Sequence, residues 1–464
     1  MNGFMRLVSI VAAIGGALYG YDTGIISGAL LSISAEFKLG HTQQELVASA
    51  ILLGAVVGGL GCGWFSDRFG RRITIIAIAA IFCVGAICAS IAPNAMLLAI
   101  ARIVLGIAVG GSSQAVPTYI AELAPADRRG QLVTTFNVAI GVGIMVAALV
   151  GYFLHDIWSW RWMIGIAAVP AAILLTSMVF LPETPRWLAS KDRMDDARRS
   201  LERVRTDHAD LDAEMGEIRT VTSDTRKART RGWRGLLEPW VRPATICGLG
   251  VAAFTQLSGI EMMIYYAPTI LKGAGFGASA ALLSSMGIAA VYLVMTCIGL
   301  VIVDRIGRRR LSLLMIPGAA IALLVLGTFF MLDMTGGRQA WLLIACLLVY
   351  MAFNSGGLQV VGWLTGSEVY PLAVRGAGTS AQAGMIWGAD LLVTVTALTL
   401  VQWIGTSGTM WVYAGMNVLA FLFIWHLVPE TAGHSLENLE TMLKKGRFRP
   451  ALGRNPDKEM PPAG

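Results

Sequence analysis

Charged side chains are scarce in this chain of 464 residues. Asp, Glu, Lys and Arg make up 14% of the sequence, and 55% of the residues are hydrophobic. An ordinary soluble protein is about 25% charged. The mean hydropathy is correspondingly high, at +0.65. The composition therefore predicts an integral membrane protein.

Cysteine pairs and enzyme signatures are also missing. The six cysteines lie in apolar segments, without the spacing of a metal or redox site. The sequence contains no H-E-x-x-H, no G-x-S-x-G and no phosphate-binding G-x-x-x-x-G-K-[ST]. These absences argue against an enzyme and against an ATP-driven pump. No metal or other cofactor is expected.

Long apolar runs fill most of the chain. A helix of about 20 residues crosses a ~30 Å hydrocarbon core. Runs of this length lie near 5–31, 45–65, 73–92, 95–119, 131–154, 161–181, 243–271, 279–303, 311–332, 339–365, 376–402 and 409–428. They predict an all-α membrane protein with twelve transmembrane helices in two groups of six. The first run is interpreted as a retained span and not as a signal peptide.

The basic residues predict how the chain is oriented. A net charge of +7 would suit nucleic-acid binding, but 31 of the 36 Lys and Arg residues lie at the termini or in the loops after even-numbered spans. An excess of basic residues in alternate loops marks the cytoplasmic side of a membrane protein. We therefore expect both termini in the cytoplasm of a multi-pass cell-membrane protein, and no nucleic-acid partner.

An internal repeat divides the chain into two halves. The recurring segments are 67–72 with 304–309, 121–130 with 367–376, and 182–184 with 429–431. Each follows an even-numbered span in both halves, so the repeats share one orientation, as in the two halves of major-facilitator transporters. The predicted domains are an N-terminal bundle at 1–181, a cytoplasmic linker at 182–242, a C-terminal bundle at 243–428 and a cytoplasmic tail at 429–464. The linker is either a solvated tether or a set of short helices that latches the cytoplasmic side.

Two charges lie inside predicted spans. Asp22 is about nine residues, or ~14 Å, from the outer end of the first span, and Arg102 is about seven residues, or ~10 Å, from the outer end of the fourth. A charge at such depth is costly unless it is paired or functional. One interpretation is a permanent ion pair that fixes packing. The other is that Asp22 takes up a proton, releases Arg102 and thereby changes how the halves pack.

Several motifs together resemble one family. The segments GYDTGIISGAL at 20–30, DRFGRR at 67–72, QLSGIEMMIYYAP at 256–268 and SEVYPLAVRG at 367–376 are similar to those of the sugar porter family of the major facilitator superfamily. The resemblance covers nearly the whole chain. It implies the major facilitator fold, a small-molecule substrate, a lipid bilayer as the surroundings, and a monomer.

The resemblance also implies roles for charged residues. Proton-coupled members carry an acid in the first helix and an arginine in the fourth, at positions matching Asp22 and Arg102. A charge network closes the cytoplasmic side of the family's outward-facing state. The matching gate residues here are Asp67, Arg68, Arg71, Glu122, Arg129, Glu183, Arg186, Asp304, Arg308, Glu368 and Arg375.

The predicted substrate site departs from the family pattern. Its candidate residues are Asn137, Thr255, Gln256, Glu261, Tyr292, Gln359, Trp363, Trp387 and Asp390. Amides are expected in a sugar site because they offer both a donor and an acceptor to each hydroxyl. Here several amides are replaced by Val138, Thr255 and Ile386, among others, and two acids appear. Glu261 and Asp390 are either hydrogen-bonded structural acids, a site for a cationic substrate, or a second proton site.

The two tryptophans in this set also have two interpretations. Trp363 and Trp387 either stack on the apolar face of a sugar or pack in the core. Taken together, the sequence predicts a proton-coupled symporter that imports a sugar, polyol or similar solute by alternating access. The alternative is a proton-coupled carrier or exporter of an aminated or carboxylated metabolite. A membrane sensor is disfavoured because it would normally bring a long cytoplasmic signalling tail.

Overall fold

The fold was examined in a computed structural model of the full chain. The structure describes residues 3–124, 129–155, 157–204, 211–212, 214–216, 218–220, 232–334, 339–371, 374–432, 436–446 and 448. These residues form helices and connecting turns, with no strand among them. The predicted all-α fold is thus confirmed.

Eleven helical stretches of the described residues are apolar and long enough to cross a membrane. The last stretch, Arg375–Leu427, has 53 residues. Its length of ~80 Å is more than twice the ~30 Å hydrocarbon core. Gly405 interrupts it with a φ of 74° and a ψ of 169°, neither of which is helical. Gly405 lies between the last two predicted spans, so this one stretch contains both.

Contacts within the chain divide it into two compact units, Met1–Thr230 and Arg231–Gly464. We call them the N-terminal unit and the C-terminal unit. The division falls inside the segment expected to be a linker, and the finer domain boundaries stay predictions.

Nine helices of the N-terminal unit have both ends among the residues that the structure describes. They are α1 Gly3–Phe37, α2 His41–Phe69, α3 Arg71–Ser90, α4 Ala95–Leu123, α5 Arg129–Phe153, α6 Trp160–Gly165, α7 Ala168–Phe180, α8 Pro185–Ser190 and α9 Met194–Val204. Helix α1 packs along α5, α2 along α4, and α3 along both α4 and α7.

The C-terminal unit repeats this packing. Its helices are α10 Gly232–Gly235, α11 Arg242–Leu257, α12 Ile260–Gly273, α13 Ala278–Ile306, α14 Arg308–Met331, α15 Ala340–Gly356, α16 Leu358–Val369, α17 Arg375–Leu427 and α18 Leu436–Lys444. Helix α11 packs along α17, α13 along α15, and α14 along both α15 and α17. In each unit the second span therefore meets the fourth, and the third also meets the fourth.

Glycines let α1 lie directly against α5. A Cβ added to Gly16 would lie 2.3 Å from the carbonyl oxygen of Phe136, and one added to Gly20 would lie 1.9 Å from that of Ile140. Small residues at a spacing of four are the usual means by which membrane helices approach closely. Asp22 is two residues from Gly20, about 200° around the helix. The glycine contact thus turns Asp22 away from α5.

A second glycine contact joins α2 to α4. A Cβ added to Gly106 would lie 1.9 Å from the carbonyl oxygen of Ile51, and one added to Gly110 would lie 2.1 Å from that of Ala55. Arg102 precedes Gly106 by four residues and so lies on the same face of α4. The packing therefore directs the Arg102 side chain toward α2.

Part of the segment after the sixth span forms a small apolar cluster. Its buried members are Leu188, Ala189, Ala197, Leu201, Leu211, Met215 and Ile218. The Ser200 hydroxyl donates a hydrogen bond to the Glu183 backbone carbonyl, and Arg203 donates one to that of Phe180, at 3.3 Å. These contacts hold α9 against the end of α7, so this part of the segment is packed and is not a free tether.

We predict that Gly20→Ala destabilises the protein, because the new methyl group would overlap the Ile140 carbonyl. Its matched control is Gly151→Ala, in the same pair of helices, where the nearest atom to the added Cβ is the Gly28 Cα at 3.6 Å. Ala is otherwise favoured over Gly within a helix by about 1 kcal/mol. Thermal unfolding in detergent should show a lower Tm for Gly20→Ala and an unchanged or higher Tm for the control. Equal Tm values for the two variants would contradict the close contact.

Candidate functional site

Asp22 and Arg102 both lie in the interior of the N-terminal unit, on helices α1 and α4 that contact each other. Asp22 is 2% exposed and Arg102 is 0% exposed. Arg102 is the cation that acts electrostatically on Asp22. The structure thus brings together the two charges that the sequence places at a common depth.

The two side chains nevertheless do not form an ion pair within the part of the chain that is described. The Arg102 Nε donates to the carbonyl of Val47 at 2.9 Å, and its Nη2 donates to that of Ala48 at 3.3 Å. Its Nη1 and the Oδ2 of Asp22 are buried without a hydrogen-bond partner. Arg102 is therefore anchored on α2, and Asp22 can gain a proton without breaking a hydrogen bond to it. The interpretation as a permanent ion pair does not describe this geometry.

Most of the predicted substrate residues lie inside the C-terminal unit. Those that are buried there are Thr255, Gln256, Glu261, Tyr292, Gln359, Trp387 and Asp390. Trp363 is half-buried, and its ring meets that of Trp387 edge-on at 6.5 Å between centroids. Asn137 is half-buried in the N-terminal unit.

The buried polar groups of this set differ in how they are bonded. Both side-chain amide atoms of Gln256 lack a partner, as do Oε1 of Gln359 and Oε2 of Glu261. The Thr255 hydroxyl donates to the Val251 carbonyl at 2.8 Å. The Asp390 Oδ1 accepts a hydrogen bond from the Thr394 hydroxyl at 3.1 Å. Because buried polar groups are normally hydrogen-bonded, Gln256, Gln359 and Glu261 have capacity left for a ligand.

A helix break separates Gln256 from Glu261. Gly259 has a φ of 94°, in the left-handed region, and an added Cβ would lie 2.8 Å from the Tyr413 ring. Helix α11 therefore ends at Leu257 and α12 starts at Ile260. Glu261 is consequently in the first turn of α12, where the helix dipole favours a negative charge.

Three residues that the sequence analysis missed hold this break in place. The Asn354 side chain donates to the Ser258 hydroxyl at 2.8 Å. The Ser258 backbone carbonyl accepts from the Tyr350 hydroxyl at 3.0 Å and from the Asn417 side chain at 2.9 Å. The available signal was the presence of two asparagines within apolar spans.

A cluster of charges joins helix ends in the N-terminal unit, and we call it the N-terminal clasp: Asp67, Arg71, Glu122, Glu183 and Thr184. Arg71 forms ion pairs with Asp67 at 3.0 Å and with Glu122 at 3.3 Å. The Thr184 hydroxyl donates to Glu122 at 2.6 Å, and the backbone N–H of Arg71 donates to Glu183 at 3.0 Å. Burial raises the pKa of the Glu183 carboxyl, against the opposing effect of these backbone donors.

The C-terminal clasp has the same construction from Asp304, Arg308, Glu368, Glu430 and Thr431. Arg308 forms ion pairs with Asp304 at 2.8 Å and with Glu368 at 2.7 Å. The Thr431 hydroxyl donates to Glu368 at 2.7 Å, and the Arg308 backbone N–H donates to Glu430 at 2.8 Å. In both clasps a carboxylate caps the N-terminus of a helix: Glu183 caps α3, and Glu430 caps α14. A helix N-terminus favours negative charge.

Glycine makes this capping possible. Gly70 and Gly307 have φ values of 103° and 101°, and a Cβ on either would lie 2.2 or 2.3 Å from the capping carboxylate of Glu183 or Glu430. The repeated motif of the sequence is therefore one repeated hydrogen-bonded unit.

Four predicted gate residues stand apart from the clasps. Arg68 and Arg186 are exposed and form no hydrogen bond or ion pair with another described residue. Arg375 donates to the Tyr370 backbone carbonyl at 3.3 Å. Arg129 begins α5, but its side chain lies outside what the structure describes.

Comparison with known proteins gives the family. The model of the "Sugar (and other) transporter" family matches residues 8–443. The chain belongs to this family. It is 39% identical to a D-xylose transporter of Levilactobacillus brevis over 94% of this chain and 95% of that protein. It is 35% identical to the major myo-inositol transporter IolT of Bacillus subtilis over 94% of each chain.

A solved structure of a sugar transporter matches this chain over nearly its whole length. The E. coli proton:xylose symporter XylE, bound to 6-bromo-6-deoxy-D-glucose, matches with a TM-score of 0.80 and 29% identity. The match covers 95% of this chain and 99% of XylE. The predicted major facilitator fold and the resemblance to sugar porters are both confirmed, and the protein is a multi-pass membrane transporter.

We predict that the two acids on Arg308 contribute unequally to stability. Glu368 is 22% exposed and Asp304 is 73% exposed. Glu368→Gln should lower the free energy of unfolding by roughly 1–3 kcal/mol, because it leaves a charged donor poorly paired. The matched control Asp304→Asn should cost about 0–1 kcal/mol, since exposed ion pairs are weak. Denaturant unfolding of the purified variants measures both, and an equal or larger loss for Asp304→Asn would contradict the assignment.

Proposed function

We propose that this protein imports a sugar or polyol together with a proton by alternating access, and that Asp22 carries the proton. The observation that carries the proposal is the geometry of Asp22. It is a buried carboxylate with an unpartnered oxygen, near a cation that is bonded elsewhere. An ionisable group buried in a transmembrane helix is by default a functional one.

The distance between Arg102 and Asp22 affects how readily Asp22 binds a proton. A neighbouring positive charge favours the ionised carboxylate, and burial favours the protonated one. Because Arg102 is fixed by the carbonyls of Val47 and Ala48, a shift of α2 or α4 would change its distance from Asp22. Proton affinity at Asp22 would then depend on conformation, which is the requirement for coupling a proton to a solute.

The clasps fit a role in the same cycle. Their bonds tie the ends of α2, α3 and α4, and of α13, α14 and α16, within each unit. We propose that they keep each bundle rigid on the cytoplasmic side, and that the exposed Arg68 and Arg186 take part in closing that side. Cytoplasmic termini, a location in the cell membrane and a monomeric state belong to the same proposal.

The sugar-like cargo is supported by the comparisons. The matched relatives are named for D-xylose and myo-inositol, and the matched structure is that of a proton:xylose symporter. The unpartnered amides of Gln256 and Gln359 suit hydroxyl groups, because an amide both donates and accepts hydrogen bonds.

An aminated or carboxylated metabolite is the second candidate. It is favoured by one observation, the presence of Glu261 and Asp390 among the candidate substrate residues. Counterflow in proteoliposomes preloaded with D-xylose, D-glucose or myo-inositol, beside D-glucosamine and simple carboxylic acids, separates the two candidates. Exchange limited to the amine or to the acids would replace the sugar proposal.

We predict that Asp22→Asn abolishes accumulation of solute against its gradient and preserves exchange. The amide removes the proton but keeps the size of the side chain. Uptake driven by an inward proton gradient and counterflow without a gradient are measured on the same proteoliposomes. Asp195→Asn is the matched control, because it makes the same acid-to-amide change at an exposed residue of α9 outside the clasps. Accumulation by Asp22→Asn at the wild-type level would refute proton transfer at Asp22.

A further inference from the structure

The C-terminal unit contains two buried acids of its own. Glu261 on α12 is 4% exposed and Asp390 on α17 is 2% exposed. The helices α12 and α17 contact each other, and the charge of Glu261 acts on Asp390. No Lys, Arg or His among the described residues bonds to either carboxylate. Unlike Asp22, this pair has no cation acting on it among the residues that the structure describes.

The other titratable groups that face the pair are neutral. Tyr292 on α13 and Tyr350 on α15 are the groups on neighbouring helices that feel the charge of Glu261. The Tyr350 hydroxyl donates a hydrogen bond to the Ser258 backbone carbonyl. Phenols ionise near pH 10, so neither tyrosine supplies a positive charge. Lys272 is eleven residues further along α12, about three turns from Glu261.

Two negative charges at this burial are costly. A buried charge without a partner costs several kcal/mol, and the group normally becomes neutral instead. Two carboxylates that share a site also oppose each other's ionisation, so one of them keeps a proton. We propose that Glu261 and Asp390 form a second proton-binding site, which holds one proton between them and is separate from Asp22.

The bonding around the pair suggests how the proton is shared. The Asp390 Oδ1 accepts a hydrogen bond from the Thr394 hydroxyl, whereas Glu261 Oε2 has no partner. A protonated carboxyl group both donates and accepts, but an ionised one only accepts. The hydrogen bonds present leave Glu261 Oε2 open and fit a single proton shared between the two carboxyl groups.

A second, independent feature suggests what the proton does: two glutamines near Glu261 have amide atoms without a hydrogen-bond partner. Gln256, across the break at Gly259, is 0% exposed and has no partner for either amide atom. Gln359 lies beside the Tyr292 hydroxyl, and its Oε1 is unpartnered. A protonated Glu261 offers the same donor and acceptor capacity as these amides. It would therefore bind a neutral polyol, and loss of the proton would weaken that binding; this consequence rests on the proposed function, whereas the proton site itself does not.

Infrared spectroscopy of the full-length protein in lipid tests the proton site directly. At neutral pH the Asp22→Asn variant should show the C=O stretching band of a protonated carboxylic acid, with the usual shift in heavy water. Glu261→Gln and Asp390→Asn should each alter this band, and the double variant should lose it. A band of unchanged intensity in the double variant, or no band in Asp22→Asn, would overturn the proposal. Circular dichroism shows whether the double variant is folded. If it is not, the test rests on the two single variants, each of which should alter the band.

Two matched sugars separate a proton from a cationic cargo. D-glucosamine and D-glucose differ in one amino group. The proton site predicts that D-glucosamine does not remove the acid band. Loss of the band with D-glucosamine and not with D-glucose would overturn the proposal, because the pair would then bind a cation. If no sugar binds at all, the proposed function fails, while the band still reports on the proton site.

Discussion

The central physical constraint is that charge inside an apolar helical bundle must be compensated. Four buried charged residues of the two bundles meet that demand in different ways. Arg102 is solvated by two backbone carbonyls, and Asp22 is near a cation without bonding to it. Glu261 and Asp390 act on each other, and Asp390 also accepts a hydrogen bond from Thr394. The degree of compensation decides which groups are free to exchange protons. On this ground we propose Asp22 and the Glu261–Asp390 pair as the groups that exchange protons.

The clasps show the opposite solution to the same constraint. Arg71 and Arg308 each contact two carboxylates, and the adjoining carboxylates of Glu183 and Glu430 accept backbone N–H groups at a helix N-terminus. These charges are fully bonded and hold helix ends together. We therefore propose that the bundles are held firmly at their clasps, whereas their interiors contain buried polar atoms without a hydrogen-bond partner. A transporter of this family needs both properties, a firm body and a site that responds to a ligand.

The sequence predicted much of this organisation. Apolar runs marked the spans, and the recurrence of DRFGRR and PET marked the two clasps, because local motifs recur where local geometry recurs. The bonding of Arg102 was not predictable in this way, since it depends on Gly106 and Gly110 bringing α4 against α2. The same holds for the contacts of Asn354 and Asn417 with Ser258, which join residues about a hundred or more positions apart. The break at Gly405 separates the two spans that the last two apolar runs predicted.

Coupling of proton and solute movement at Asp22 is the central claim, and proton flux measures it most directly. Proteoliposomes containing a pH-sensitive dye would receive an inward gradient of D-xylose or myo-inositol, with no pH difference imposed. The account predicts that the interior acidifies as the solute enters wild-type vesicles, and that Asp22→Asn shows no acidification although it retains exchange in preloaded vesicles. Entry of the solute into wild-type vesicles with no change of internal pH would contradict it.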